Sequence, residues 1–306
     1  MLLGIYDFHS TFTGSAILPP YKGSTIRGAF GVALKKSLCA LKLQECPTCP
    51  LRLECLYARV FENLPENDLS GGKGIPHPFV VEPPLDEKTD YSAGDSFDFR
   101  LLLFGQANEN LNYFIYASQQ MGRLGLGKLI NGKRASFELK TVHSGANRLF
   151  DCSDGTIIPA DPQNLDLDAF RPPSPGSGSV KIIFQTPLRL KFQNRFNDAL
   201  PFHVLIRAAL RRISFLNIYF GQGEPDLDYR GLVNRSNDMK TVDSDLRWLD
   251  WERYSNRQEK RMQMGGLVGM ATYEGRLTEF IPLLQYCEQV HLGKATTFGL
   301  GKIIVI

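Results

Sequence analysis

An α+β fold is predicted for this chain, built from two tandem βαββαβ units with a cysteine-rich insertion in the first. Three observations carry that prediction. Stretches with strand-like alternation and stretches with helical spacing follow one another in the same order twice. A near-identical glycine motif closes each round, GLGKLI at Gly125–Ile130 and GLGKII at Gly299–Ile304. Between the rounds stands RPPSPGSGS (Arg171–Ser179), which has linker composition. A chain of 306 residues is long enough to bury two cores.

In the first half, Leu2–Phe12 partly alternates apolar and polar residues and reads as a strand. Ser24 or Thr25 can cap a helix that lines up Ile26, Phe30, Ala33, Leu34 and Leu38 on one face. His77–Val81 predicts a short strand, and SFDFRLLLFG (Ser96–Gly105) a clearer one. NENLNYFIYASQQ then puts Leu111, Phe114, Ile115 and Ser118 at helical spacing. The first glycine motif leads into another alternating strand, Arg134–Val142. In the second half, Ser179–Phe192 is strand-like. Pro201–Phe220 is a helix burying Ile206, Ala209, Leu210, Ile213 and Phe220. Strands follow near Arg247–Tyr254 and Gly265–Tyr273. A helix around Thr278–Gln289 admits Pro282 only in its first turn. The second glycine motif runs into KIIVI. Strand–helix–strand–strand–helix–strand is the ferredoxin-like arrangement. Domains are therefore expected at residues 1–150, with the insertion at 39–55, and at 179–306, joined by an acidic linker at 151–178.

The composition, 43% apolar and 22% charged, is that of a soluble globular protein. No apolar run approaches the about 18 residues a membrane helix needs, and MLLGIYDFHS lacks a signal-peptide pattern. A cytoplasmic protein with no membrane partner is expected. The net charge of +3 is unevenly spread. Residues 179–306 carry 18 basic and 13 acidic side chains, which suits a polyanionic partner.

HLGKATTFGLGKI (His291–Ile303), MGRLGLGK (Met121–Lys128), RAALRRISFL (Arg207–Leu216) and the join between the cysteines and HPFVVEPP (His77–Pro84) together resemble one family. It is the CRISPR-associated pre-crRNA-processing endoribonucleases of the RAMP superfamily, and the resemblance spans essentially the whole chain. It implies two ferredoxin-like, RNA-recognition-type domains. It also implies cleavage of a CRISPR repeat RNA without a catalytic metal: the 2′-hydroxyl attacks the adjacent phosphate, leaving 2′,3′-cyclic phosphate and 5′-hydroxyl ends. The implied partners are pre-crRNA and subunits of a CRISPR effector complex. A non-cleaving RNA-binding subunit of such a complex is the alternative. Many relatives carry a catalytic histidine around the first helix. Ser24–Leu38 contains none, so that role does not transfer.

GLGK lacks the spacing of a nucleotide-binding P-loop. Two readings of the second copy stand: a tight helix-to-strand turn, or backbone N–H groups of Gly299 and Gly301 converging on a phosphate. The surrounding Lys294, Thr296, Thr297 and Lys302 favour the second. Imidazole is the side chain that titrates near neutrality, which suits acid–base chemistry. His291, at the mouth of the loop, is the first candidate, with helix capping as the alternative. His77, between prolines, is the second. His9 and His143, in or beside strands, are expected to be structural, and His203 to face solvent. RWLDWERYSNRQEKR (Arg247–Arg261) interleaves aromatic and basic residues, as base stacking with phosphate contact requires. Arg253 and Arg257 are assigned there to RNA, and Tyr254 to orienting a reacting group. Arg207 and Arg211 share one helix face and are assigned to RNA phosphates.

Cys39, Cys46, Cys49 and Cys55 lie within one short stretch. Four close thiolates fit tetrahedral Zn²⁺ or a [4Fe–4S] cluster better than a disulfide framework. The spacing and the CPLRLEC ending resemble the iron–sulfur loop of endonuclease III-type DNA glycosylases, which places the cluster ahead of Zn²⁺ as a structural cofactor. That likeness covers the loop alone and implies a ligand, not a glycosylase activity. Cys152 and Cys287 are isolated and expected to be unliganded.

Overall fold

The computed structural model describes residues 1–42, 44–62, 75–170, 178–190, 200–255 and 260–306, with backbone only at 253–255 and 260–261. The chain divides into two compact units, Leu2–Asn164, and Leu165–Ile306 together with Met1. Most of the linker sequence, residues 171–177, lies outside the described residues. No helix among the described residues is long and apolar enough to cross a membrane.

The first unit contains β1 (Leu2–Phe12), α1 (Gly23–Leu38), β2 (Phe79–Glu82), β3 (Phe99–Phe104) and α2 (Leu111–Leu124). A hairpin of β4 (Leu126–Ile130) and β5 (Lys133–Ala135) follows, then β6 (Phe137–Ser144) and β7 (Asn147–Asp151). The antiparallel sheet runs β2-β3-β1-β6-β7. The last strand of the βαββαβ series thus lies beside the first, and β7 adds an unexpected edge. Alternation along β1 sends Tyr6, Phe8 and Phe12 into the core, where Ile26, Phe30 and Leu34 of α1 and Leu111, Phe114 and Ile115 of α2 meet them. Each such buried apolar side chain contributes about 1.5–3 kcal/mol. Neither Ser24 nor Thr25 caps α1. The cap position is Lys22, a wholly buried lysine whose ammonium donates to the carbonyls of Asp86 (2.7 Å) and Pro20 (3.2 Å) and faces the Asp86 carboxylate at 3.1 Å. Its three donors offset the desolvation of its charge.

The second unit repeats the plan with β8 (Ser179–Leu188), α3 (Phe202–Phe220), a short α4 (Tyr229–Arg235) and β9 (Lys240–Leu249). A separate hairpin of β10 (Glu252–Ser255) and β11 (Lys260–Gln263) comes next, then β12 (Gly266–Glu274), α5 (Ile281–Val290) and β13 (Ile303–Val305). The sheet order is β9-β12-β8-β13, the same 2-3-1-4 order as in the first unit. Pro282 falls at the start of α5, where its missing N–H is harmless. The strand expected near Arg247–Tyr254 is instead two: β9 ends at Leu249 and β10 pairs with β11.

Candidate functional site

The second glycine motif folds against its own sheet. α5 ends at His291, whose φ of 60° turns the chain, and positive φ recurs at Gly293, Ala295, Gly299 and Gly301. The Gly299 N–H donates to Thr296 O (2.8 Å), and the Gly301 N–H to Pro187 O (3.2 Å). The Leu292 N–H donates to Gly301 O (2.8 Å) and that of Lys294 to Arg189 O (3.0 Å). A Cβ on Gly301 would lie 1.7 Å from the Leu292 carbonyl oxygen. Glycine is therefore dictated by backbone-to-backbone contact. The two N–H groups expected to cradle a phosphate are already donated inside the protein.

Other predicted members of the loop also turn inward. Thr296 and Thr297 are buried, whereas Lys294 is exposed and Lys302 part-exposed. His291 is fully buried, with Nδ1 3.0 Å from Leu300 O. A ring with no solvent-facing edge cannot meet a phosphate arriving from solution. In this arrangement His291 holds the loop, and its burial argues against the acid–base role assigned to it from the sequence. Thr186, which the sequence did not single out, and Arg212, which it grouped with Arg207 and Arg211 as a candidate for RNA, complete this arrangement. The buried Thr186 hydroxyl donates to Gly299 O (2.7 Å) and accepts from the Lys302 N–H (2.8 Å). Arg212 donates to Val290 O (2.7 Å) and His291 O (3.1 Å), satisfying the C-terminal carbonyls of α5. Proline following threonine in β8 gave no local signal of that role. Beside Arg212, Cys287 is buried, and that burial pushes its thiol up to about 12.

On α3, Arg207 and Arg211 lie on one face, as their spacing predicts, and the Arg211 guanidinium sits 5.2 Å above the Phe215 ring centroid. Burial, then repulsion from Arg207, pushes the His203 imidazole below its ordinary value. His203 is half-buried. Arg257 lies outside the described residues, as do the side chains of Arg253 and Tyr254. Trp248 Nε1 donates to Asp250 (2.7 Å).

The remaining candidates belong to the first unit. His77 is half-buried, with Nδ1 2.9 Å from Val60 O and its ring edge-on to Phe79. Cys39, Cys46, Cys49 and Cys55 are all free thiols strung along their loop. Cys46 is buried, and that burial raises its thiol while nearby Lys35 opposes the shift. Among the described residues no three His, Cys, Asp or Glu side chains gather as a metal would require.

The sheet brings together groups that the sequence assigned to structure. His9 pairs with Thr141 and Asp7 with His143 in the β1–β6 register, so the two imidazoles are diagonal neighbours on one sheet face. Their rings lie 5.4 Å apart, edge to face. Asp98, at the entry to β3, approaches His9 Nδ1 at 3.3 Å through Oδ2 and accepts the Ser10 N–H through Oδ1 (3.1 Å). The side chains of His9 and Asp98 are 46% and 50% exposed, so the pair reaches solvent. A carboxylate on Nδ1 fixes that ring's orientation. Arg100 is occupied between Asp7 (2.7 Å) and Glu82 (3.8 Å). Chemically, the arrangement supplies two adjacent, solvent-reachable proton-transfer groups, one of them oriented by a carboxylate.

Comparison with known proteins adds an independent line. Residues 2–162 match the family AF_1859_N, an N-terminal domain. Residues 182–303 match the family described as CRISPR-associated endoribonuclease Cas6. A relative from Archaeoglobus fulgidus, described as an uncharacterized protein, is 24% identical over 288 residues, 93% of this chain and 91% of the relative. Among solved structures, a Cas6 product complex is similar with a TM-score of 0.60 at 14% identity, covering 100% of both chains. Thermus thermophilus Cas6 is similar with a TM-score of 0.55 at 13% identity, over 100% of this chain and 98% of that one. At these identities the structural likenesses establish the fold.

Proposed function

We propose that this chain, which belongs to the AF_1859_N family through residues 2–162, is a Cas6-type RAMP endoribonuclease that cuts CRISPR repeat RNA. The observation that carries this reading is the match of residues 182–303 to the Cas6 family, supported by a shared fold over the full chain. Both units are read as ferredoxin-like RAMP domains on their common strand order.

The chemistry follows from RNA itself. One imidazole of the His9–His143 pair takes the proton of the 2′-hydroxyl as its oxygen bonds to the adjacent phosphorus. The P–O5′ bond breaks, and the other imidazolium gives its proton to the departing O5′. A 2′,3′-cyclic phosphate and a 5′-hydroxyl result. Two proton transfers complete the reaction without a metal in this route. Contact between two solvent-reachable imidazoles, with Asp98 on one of them, favours His9 and His143 over His77, whose Nδ1 and ring face are engaged by Val60 O and Phe79. Lys294, Lys302, Arg207 and Arg211 are the surface cations of the second unit assigned to RNA phosphates. The four cysteines stand as a separate proposal resting on their spacing alone, a structural [4Fe–4S] cluster with Zn²⁺ the alternative. No step of the reaction passes through it.

The test is incubation of the host repeat RNA with the protein in EDTA, followed by analysis of the product ends. Wild type is expected to yield a cyclic phosphate. His9→Ala and His143→Ala are expected to lose on the order of 10²–10⁴-fold in single-turnover rate with RNA affinity retained. Intact repeat RNA after incubation with wild type refutes the nuclease and leaves the RNA-binding subunit. Full-rate cleavage by both variants moves the chemistry to His77.

A further inference from the structure

The first glycine motif does different work from the second. Gly125 ends α2 with φ 81°, and Gly127, with φ 86°, lies so close to the neighbouring backbone that a Cβ would meet Ile17 O at 2.5 Å. Between β4 and β5 the turn is Asn131–Gly132, both with positive φ, which is the type I′ geometry that closes a two-residue hairpin. Arg134 donates back across the hairpin to the Gly127 carbonyl. The motif seats a short, stiff hairpin directly against the end of α2.

Charge on this hairpin is one-sided. No acidic residue stands between Glu109 and Glu138, whereas Arg123, Lys128, Lys133 and Arg134 all do. All four are exposed, and among the described residues none pairs with a carboxylate. The helix leading into the hairpin buries Phe114, Ile115, Ser118 and Met121. Its opposite face presents Tyr113 at 45% exposure and Tyr116 at 49%, in line with Arg123. Three- and seven-residue spacing puts these side chains on one stripe, roughly 15 Å long at 1.5 Å per residue. Tyrosines left half in water on a helix face without acids, beside cations that meet no carboxylate among the described residues, present flat rings next to positive charge.

We propose that the outer face of α2 and the β4–β5 hairpin form a binding surface for unpaired RNA. Tyr113 and Tyr116 stack bases, and Arg123, Lys128 and Lys133 hold the phosphates. Charge complementarity selects a polyanion over an acid-bearing protein face, and the exposed rings select an unpaired strand, whose bases are free to stack. The proposal rests on the RNA-processing reading only in naming RNA as the polyanion.

Fluorescence anisotropy on the full chain tests it. The probe is a labelled unpaired RNA of about 12 nucleotides, within the site size of single-strand binders, alone and annealed to its complement. Tyr113→Ala and Tyr116→Ala are each expected to weaken unpaired RNA roughly 5- to 150-fold, with a smaller loss on the duplex. Arg123→Ala, Lys128→Ala and Lys133→Ala combined are expected to reduce the slope of log K against log salt by about 2, at about 0.7 per phosphate contact. An unchanged thermal melt shows that the variants are folded. Unchanged affinity and slope overturn this surface, and equal losses on duplex and single strand overturn the stacking. Wild type that binds RNA without cutting it refutes the nuclease while these variants still weaken binding. Wild type that cuts RNA, with variants binding as tightly, refutes this surface alone.

Discussion

Replacing Gly301 by alanine tests whether the second glycine motif is a backbone joint. Its φ of 76° costs an L-residue about 1–2 kcal/mol. The new methyl would lie 1.7 Å from Leu292 O, so the strand and the loop must part. That movement breaks two hydrogen bonds of Gly301, its N–H to Pro187 O and its carbonyl from Leu292 N, each contributing about 0.5–1.5 kcal/mol. The sum is about 2–5 kcal/mol. At about 2–4 °C per kcal/mol for a unit of this size, the melting temperature falls by roughly 4–20 °C. Gly94→Ala is the matched control. Gly94 has φ 91° but nothing within 4 Å of the position a Cβ would take, so it carries only the conformational strain of about 1–2 kcal/mol. Thermal melts by circular dichroism on both variants separate the two costs. Equal shifts would refute the collision and return Gly301 to the role of a phosphate-approach residue.

The remaining predictions concern single groups. His291→Ala is expected to lower the melting temperature while the folded fraction keeps its cleavage rate; loss of cleavage in fully folded protein would restore His291 as an acid–base group. His203, held low by burial and Arg207, binds fewer protons folded than unfolded, so its contribution to stability is present above the ordinary histidine range and is lost as pH falls through it. Arg207→Ala should move the His203 titration upward by NMR, and an unmoved titration assigns the whole shift to burial. Protein purified without oxygen should show a visible iron–sulfur band that Cys49→Ser removes; a colourless protein carrying Zn²⁺ selects the alternative, and one carrying neither overturns the cysteine proposal.

Much of the fold was legible because its signals are local. Periods of 2 and 3.6 residues fix which face of each strand or helix is apolar, and Pro282 marks a helix start by its missing donor. Even so, the cap of α1 was misplaced, because the buried Lys22 is held by Asp86, which lies 64 residues along the chain. α4 and β7 also escaped, being short elements with little periodicity to read.

The site divided differently. The βαββαβ order, the duplicated glycine joint, the RNA-directed family resemblance and the shared helix face of Arg207 and Arg211 were all readable before folding. They depend on spacing along the chain. It took the folded chain to show that His291 is sealed inside and that the Gly299 and Gly301 N–H groups are already donated. The meeting of His9, Asp98 and His143 likewise emerges only on folding. Burial and partner choice depend on which distant segments pair, and strands β1, β3 and β6 bring residues 9, 98 and 143 together through register. The two glycine motifs read alike because both turn a chain closely against backbone. They differ in the segment each one positions: the first anchors a basic hairpin beside exposed tyrosines, and the second locks a final strand.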